Sequence, residues 1–398
     1  MDEISVLVCD DSALMRNVIS RVIDGTPGMK VIEKASNGQD LIEKLKTTSP
    51  DVIILDIEMP VMTGVEYLRY RKINGGDVPV IILSSIAEKG ATVTMEALEL
   101  GASDFITKPN GSVSMDINDV ADRLIEMIAS YGRDFARKKG KIVCTGEYYA
   151  KLVADRAIDR KLQETLAAKG KNVEIPVKKP LVPKDFDYKI QTKEPAVIKP
   201  LREGGRISII AIGISTGGPN ALRDVFKDLD PALKQPILVV QHMPAGFTKE
   251  FAASLDRVCP LHVKEAEDGD VIESGNVYIA PGDYHIEVEQ SALGKYTIRT
   301  NQKPLRNGHR PSADQLFESV AKNFGNRALG VIMTGMGKDG AVELAEMRKQ
   351  GAWTLGQDEK SAIVYGMPRV AFELGAVQKQ VNLNDMAKEI NTLAKEHA

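Results

Sequence analysis

Residues 206–219 read R-I-S-I-I-A-I-G-I-S-T-G-G-P, an apolar β-branched run that meets a glycine-rich turn. A run of that kind is a strand buried on both faces, as in a parallel sheet. Pro219 and the amphipathic stretch behind it open a helix, because proline suits the first helical turn. Strand, turn and helix in this order are the repeating unit of an α/β fold. A serine at the crest of the turn projects its hydroxyl beyond the sheet. The glycines let other backbone approach it, and the helix N-terminus offers unpaired N–H groups to a developing oxyanion. Ser215 is therefore a candidate nucleophile.

Downstream the alternation continues. Strands are expected at 207–212, 237–241, 277–280, 329–334 and 352–357. Segments 285–289 and 296–300 alternate apolar and polar residues around a turn with Gly294, which predicts a hairpin inserted in a doubly wound α/β domain spanning 206–398. A serine nucleophile needs a base, and the base needs a group that holds its tautomer. His242 follows the run P-I-L-V-V-Q directly, which puts it on the Ser215 edge if the two strands are neighbours. Asp339 lies in T-G-M-G-K-D-G after the 329–334 strand and can orient the imidazole, with the Met336 N–H serving the oxyanion. His309, in R-N-G-H-R-P-S, lines the cleft on the substrate side. His262 and His285 fall in strand-like segments with surface roles, and His397 at a frayed terminus. The competing interpretation is a pair of phosphate-cradling turns with no hydrolysis.

Upstream, residues 4–9, 52–55, 78–83 and 104–107 read as buried strands, and 12–24 and 93–100 as helices, with Ser12 an N-cap and Gly101 a C-cap. These strands run into Asp10–Asp11, Asp56, Ser84 and Lys108. Strand C-termini of an open parallel sheet form its ligand crevice. Any one acid there also serves as a helix cap, but three converging carboxylates call for a cation. Mg2+ suits hard oxygen ligands and leaves a position for a phosphate oxygen. Asp56 is then the phosphoryl acceptor, with Ser84 and Lys108 contacting phosphoryl oxygens and Phe105 able to rearrange with Ser84. Residues 126–205 read as a linker. A polar helix is possible at 146–168, either solvated or a docking element for a receptor or scaffold, and a Lys/Pro-rich tether follows from 169.

The chain's 398 residues suffice for two domains, and its net charge of −3 gives no pull toward nucleic acid or anionic membrane. Cys9, Cys144 and Cys259 have neither disulfide nor metal-ligand spacing. No signal-like N-terminus or membrane-length apolar run is present. A cytoplasmic protein is expected, with no nucleic-acid partner and no membrane insertion. A transcription regulator is disfavoured by the balanced charge and the lack of a basic helix–turn–helix.

D-D-S-A-L-M-R, I-L-D-I-E-M-P, L-S-S and D-F-I-T-K-P make residues 1–125 resemble response-regulator receiver domains. The resemblance implies a flavodoxin-like fold and phosphorylation of Asp56 by a chemotaxis histidine kinase. It also implies Mg2+ held by Asp11, Asp56 and the Glu58 main-chain carbonyl, with Asp10 alongside. Thr63 stands where that family commonly has Asp, at a turn. I-G-I-S-T-G-G-P, V-V-Q-H-M-P-A-G-F-T, H-R-P-S-A-D-Q-L-F and M-T-G-M-G-K-D-G-A make residues 206–385 resemble the protein-glutamate methylesterases of bacterial chemotaxis. That implies hydrolysis of glutamate methyl esters on chemoreceptors, with methanol released, and in many members glutamine deamidation. Ser215 would be the nucleophile, His242 the base, Asp339 its orienter, and Met336 with the Thr216 neighbourhood the oxyanion side. An unphosphorylated receiver would lie across the catalytic cleft.

Overall fold

A computed structural model describes residues 1–84, 88–108, 117–168, 195–291 and 294–398. The chain divides into two units, Met1–Lys189 and Ile190–Ala398.

The first unit alternates β1 (Ile4–Cys9), α1 (Ala13–Asp24), β2 (Met29–Ala35), α2 (Gly38–Leu45), β3 (Val52–Asp56), α3 (Gly64–Asn74), β4 (Val80–Ser84), α4 (Glu88–Glu99), β5 (Asp104–Thr107) and α5 (Ile117–Met127). Its parallel sheet runs β2-β1-β3-β4-β5. β1, β3 and β4 are buried along their whole length, which is why they read as continuous Val/Ile runs. β2 lies at the edge and buries one face, so M-K-V-I-E-K-A carries too many charges to be recognised as a strand. Ser12 caps α1 as expected. Thr63 is more than a turn residue. It caps α3 in a reciprocal box, accepting the Glu66 N–H at 3.2 Å while Glu66 Oε2 accepts the Thr63 N–H at 2.8 Å.

The linker expected from residue 126 does not begin there. α5 passes through a π turn (Ile128–Gly132) into α6 (Arg133–Lys138), and α7 (Gly146–Ala168) follows. Gly132 packs so closely on Ile4 that an added Cβ would come within 2.7 Å of it, and Tyr149 is buried with its hydroxyl donating to the Gly28 carbonyl at 3.1 Å. The helix expected at 146–168 forms, yet part of it is not solvated. Arg160 donates to the buried Asp122 carboxylate of α5 at 2.5 Å, and Leu152 is buried. Most of the Lys/Pro-rich tether, 169–194, lies outside the described residues. Residues 195–205 instead lie along the second unit, where Ala196 N–H donates to Glu373 O and Leu201 N–H to Lys349 O.

The second unit comprises β6 (Ile209–Ile214), α8 (Gly218–Phe226), β7 (Ile237–Gln241), α9 (Thr248–Asp256), β8 (His262–Glu265), β9 (Asn276–Ile279), β10 (His285–Gln290), β11 (Tyr296–Asn301), α10 (Ala313–Phe324), β12 (Ala328–Ile332), α11 (Ala341–Lys349), β13 (Trp353–Gln357), α12 (Met367–Glu373), β14 (Lys379–Val381) and α13 (Leu383–Glu396). Seven parallel strands run β14-β13-β12-β6-β7-β9-β8. β10 and β11 form the expected antiparallel hairpin. It packs through Ile286, Val288 and Ile298 into the core shared with α10, and Val288 N–H donates to Ser319 Oγ. β6 is central, with β7 on one side and β12 on the other. The chain reverses direction across the sheet there, and a crevice opens at the strand C-termini.

Asp51, wholly buried before β3, anchors the segment beyond α5. It accepts from Ser5 N–H (2.8 Å), Ser5 Oγ (2.7 Å), Lys139 Nζ (3.0 Å) and Lys141 Nζ (2.5 Å). Burial pushes its pKa up, but these donors outweigh it and hold the group below its ordinary value. The stabilisation is therefore present above about pH 4 and is lost as pH falls through the depressed pKa. Asp51→Ala is expected to cost about 2–4 kcal/mol in urea unfolding at pH 7, discounted because both lysines retain some solvent. The parent–variant gap should narrow below pH 4.

Candidate active site and acidic pocket

Each member of the Ser–His–Asp set is delivered by a strand C-terminus. Ser215 follows β6, His242 follows β7, and Asp339 lies in the loop between β12 and α11. The turn after β6 is tight. Gly218 N–H donates to Ser215 O at 2.7 Å, and Gly217 takes φ +78° at the N-cap of α8, a conformation suited to glycine. The three side chains meet. His242 Nδ1 lies 3.0 Å from Ser215 Oγ, and His242 Nε2 lies 2.8 Å from Asp339 Oδ2. Because an ionised carboxylate only accepts, Nε2 carries the ring proton, and Nδ1 is left to accept from the serine hydroxyl.

Asp339 is buried and holds more than the imidazole. Oδ2 also accepts Ala313 N–H at 2.6 Å, and Oδ1 accepts Ser312 Oγ (2.6 Å), Asn307 Nδ2 (3.0 Å) and Asp314 N–H (3.3 Å). Burial works to raise its pKa, but the His242 contact and the Ser312 and Asn307 donors outweigh it and depress the pKa well below the usual range. The group stays an anion, as an orienter of imidazole must.

His309 does line this site, stacked on His242 with ring centres 3.8 Å apart and planes 14° from parallel. The Met336 N–H and the Thr216 neighbourhood were expected on the oxyanion side. Neither the Thr216 N–H nor the Met336 N–H makes a hydrogen bond among the described residues, whereas the Ser215 N–H is committed to Thr334 O at 2.9 Å. Thr334 also joins the flanking turns, its hydroxyl donating to Thr216 O (2.9 Å) and accepting Val364 N–H (3.0 Å).

Two histidine expectations are corrected. His285 is wholly buried, its Nε2 3.2 Å from Pro304 O, because the inner face of the hairpin turns toward α10. His397 is not frayed. It stacks on Trp353, and its carbonyl accepts Ile207 N–H at 2.7 Å. His262 is exposed, as expected. Asn307, Ser312, Asp314 and Thr334 were not singled out from sequence. An Asn-Gly pair such as 307–308 favours a turn, but nothing local indicates that its amide reaches a carboxylate 32 residues away.

In the first unit, carboxylate oxygens of Asp10, Asp11 and Asp56 lie within 4.8 Å of one another. β1 and β3 are adjacent, so these acids share the switch point of that sheet. Lys108, after β5, places its ammonium 2.8 Å from Asp56 Oδ2 and 3.1 Å from Asp10 Oδ2. Burial raises the Asp56 pKa to about 6, opposed by Lys108 and reinforced by Asp10. Asp10 is buried, and the Lys108 ammonium is the partner of its Oδ2. Three carboxylates this close together are the hard-oxygen donor set that a divalent cation takes. The Ser84 hydroxyl is 2.6 Å from Thr94 Oγ1, and Phe105 is buried within β5.

Comparison with known proteins agrees with both halves. The response regulator receiver domain family matches residues 6–116, and the CheB methylesterase family residues 210–390. A Treponema denticola protein named protein-glutamate methylesterase/protein-glutamine glutaminase is 50% identical over 398 residues, 100% of each chain. A Halalkalibacterium halodurans protein of the same name is 40% identical over 389 residues, 97% of each. The Thermotoga maritima CheB methylesterase catalytic domain is 36% identical, covering 48% of this chain and 98% of that one, with a TM-score of 0.46. Fold and site together define a class, a response regulator whose output domain is a hydrolase. Within it, the chain belongs to the protein-glutamate methylesterase/protein-glutamine glutaminase family.

Gly335 lies against Ser215. A Cβ there would come within 2.8 Å of Ser215 Cβ and 2.4 Å of Met367 Sδ. Gly335→Ala should therefore displace Ser215 and lower kcat for methanol release about 10- to 100-fold, while near-UV circular dichroism stays native.

Proposed function

We propose that Ser215, His242 and Asp339 are the catalytic triad with which this methylesterase hydrolyses γ-methyl esters of chemoreceptor glutamates, and that phosphorylation of Asp56 raises the rate. The observation that carries this reading is the relay of 3.0 and 2.8 Å from hydroxyl through imidazole to a buried carboxylate. Ser215 Oγ attacks the ester carbonyl as its proton passes to His242 Nδ1. The negative charge on the carbonyl oxygen is met by the N–H groups of Met336 and Thr216 and by the N-terminal end of α8. The tetrahedral adduct collapses, and the Nδ1 proton leaves with methanol. Water, deprotonated by Nδ1, then attacks the acyl-serine and releases the glutamate carboxylate and the Ser215 hydroxyl. A glutamine side chain enters the same sequence with ammonia as leaving group. His309 lies over the imidazole on the substrate side.

In the receiver, Asp56 attacks the phosphorus of a phosphohistidine on a chemotaxis histidine kinase, and the imidazole leaves. Asp10, Asp11, Asp56 and the Glu58 carbonyl would hold Mg2+, which supplies charge neutralisation for the incoming phosphoryl group. Lys108 and Ser84 contact its oxygens, for which Lys108 must leave its ion pairs with Asp10 and Asp56. Among the described residues no helix is long and apolar enough to cross a membrane, and we place the reaction in the cytoplasm.

Ser215→Ala should abolish methanol release from methylated receptor; substantial retained turnover would overturn the triad reading. Acetyl phosphate with Mg2+ should stimulate the parent. Asp56→Asn, or chelation of the metal, should remove the stimulation and leave basal turnover in place.

A further inference from the structure

A second buried carboxylate stands behind the triad. Asp314, in the first turn of α10, is buried, and its Oδ1 accepts Glu343 N–H at 3.1 Å. Its Oδ2 lies 2.5 Å from Asn307 Nδ2, and that same nitrogen lies 3.0 Å from Asp339 Oδ1. A primary amide nitrogen carries two hydrogens, so each carboxylate takes one, and the two anions together set which way the amide faces. The backbone is built for the task. Asn307 adopts φ +52°, a left-handed conformation that asparagine tolerates better than most residues. Reciprocal main-chain bonds between Arg306 and His309 (3.1 and 3.0 Å) close the turn, and Arg306 is paired with Glu318 and Glu343.

We infer that Asn307 is a positioning residue for ester hydrolysis, its amide tying Asp339 to Asp314 so that Asp339 Oδ2 stays on His242 Nε2. The inference rests on the triad reading above. Without the amide, no side-chain donor joins the two buried carboxylates, and Asp339 keeps Ser312 Oγ and the N–H groups of Ala313 and Asp314. Burial and the Asp339 charge already raise the Asp314 pKa. The strain is relieved if Asp339 rotates away, and rotation releases Nε2. An imidazole without that partner populates the tautomer with its proton on Nδ1, which cannot accept from Ser215. Asn307 thus acts on the fraction of enzyme holding a competent base, which is a kcat effect.

Among the described residues, Asp339 and His309 meet the imidazole, Asp314 and His285 lie near Asp339, and Arg306 and Glu343 lie about Asp314. The experiment uses the full chain with Asn307→Gly, which keeps the left-handed backbone, and Asn307→Asp, which keeps the shape but turns the donor into an acceptor. The rate of Ser215 labelling by a fluorophosphonate is followed between about pH 5 and 9, beside kcat and KM for methanol release and thermal unfolding. Both variants should label and turn over about 10- to 100-fold more slowly, with KM within about twofold of parent. Parental labelling rate and kcat in Asn307→Gly would overturn the inference. So would a loss matched by an equal loss of folded protein. If the parent itself is not labelled at Ser215, the triad reading fails first and takes this one with it.

Discussion

The anionic carboxylate of Asp339 is the constraint around which the catalytic unit is arranged. Burying a charge costs several kcal/mol unless hydrogen bonds replace the lost water. Here the donors come from separate parts of the chain, namely the first turn of α10, Ser312, Asn307 and His242. The loop after β12, the start of α10, the turn at 305–312 and the end of β7 must therefore converge for the charge to be tolerated. Satisfying the anion and assembling the relay are one event. A helix N-terminus is a natural seat for such an anion, since its first N–H groups lack intrahelical partners.

The sheet does the rest. With β6 in the middle, its neighbours β7 and β12 carry His242 and Asp339 to either side of Ser215. His242 presents Nδ1 to Ser215 and Nε2 to Asp339. The receiver repeats the logic with different chemistry. β1 and β3 meet at its switch point and bring acids instead of serine and histidine, and Lys108 follows β5 as the counter-cation. In both units a parallel sheet aims unlike side chains at one edge.

Much of this was legible because buried parallel strands are written as unbroken apolar runs, and the residue just past each run is the one the sheet presents. That is how Ser215, His242, Asp56 and Lys108 could be found, and β5 and β7 bounded. The missed strands, β2 and β14, are edge elements whose charged residues mask the pattern. The 126–160 region was misread for a related reason. Its apolar residues are interleaved with many charged ones, and part of what anchors it is ionic, Lys139 and Lys141 on Asp51 and Arg160 on Asp122, partners far off in sequence. The Asn307 bridge is hidden the same way, since a turn signal shows that the chain reverses and not what its side chain meets. Which imidazole nitrogen faces the serine depends on ring orientation, on which sequence is silent.

The Asp51 cluster lies where β1 and β3 begin, at the opposite end of the strands from Asp10 and Asp56. Robustness and reactivity of the receiver are thereby assigned to opposite poles of one sheet. Thermostabilised forms can be sought by redesigning the basal pole, with the pole of Asp10 and Asp56 left as it is.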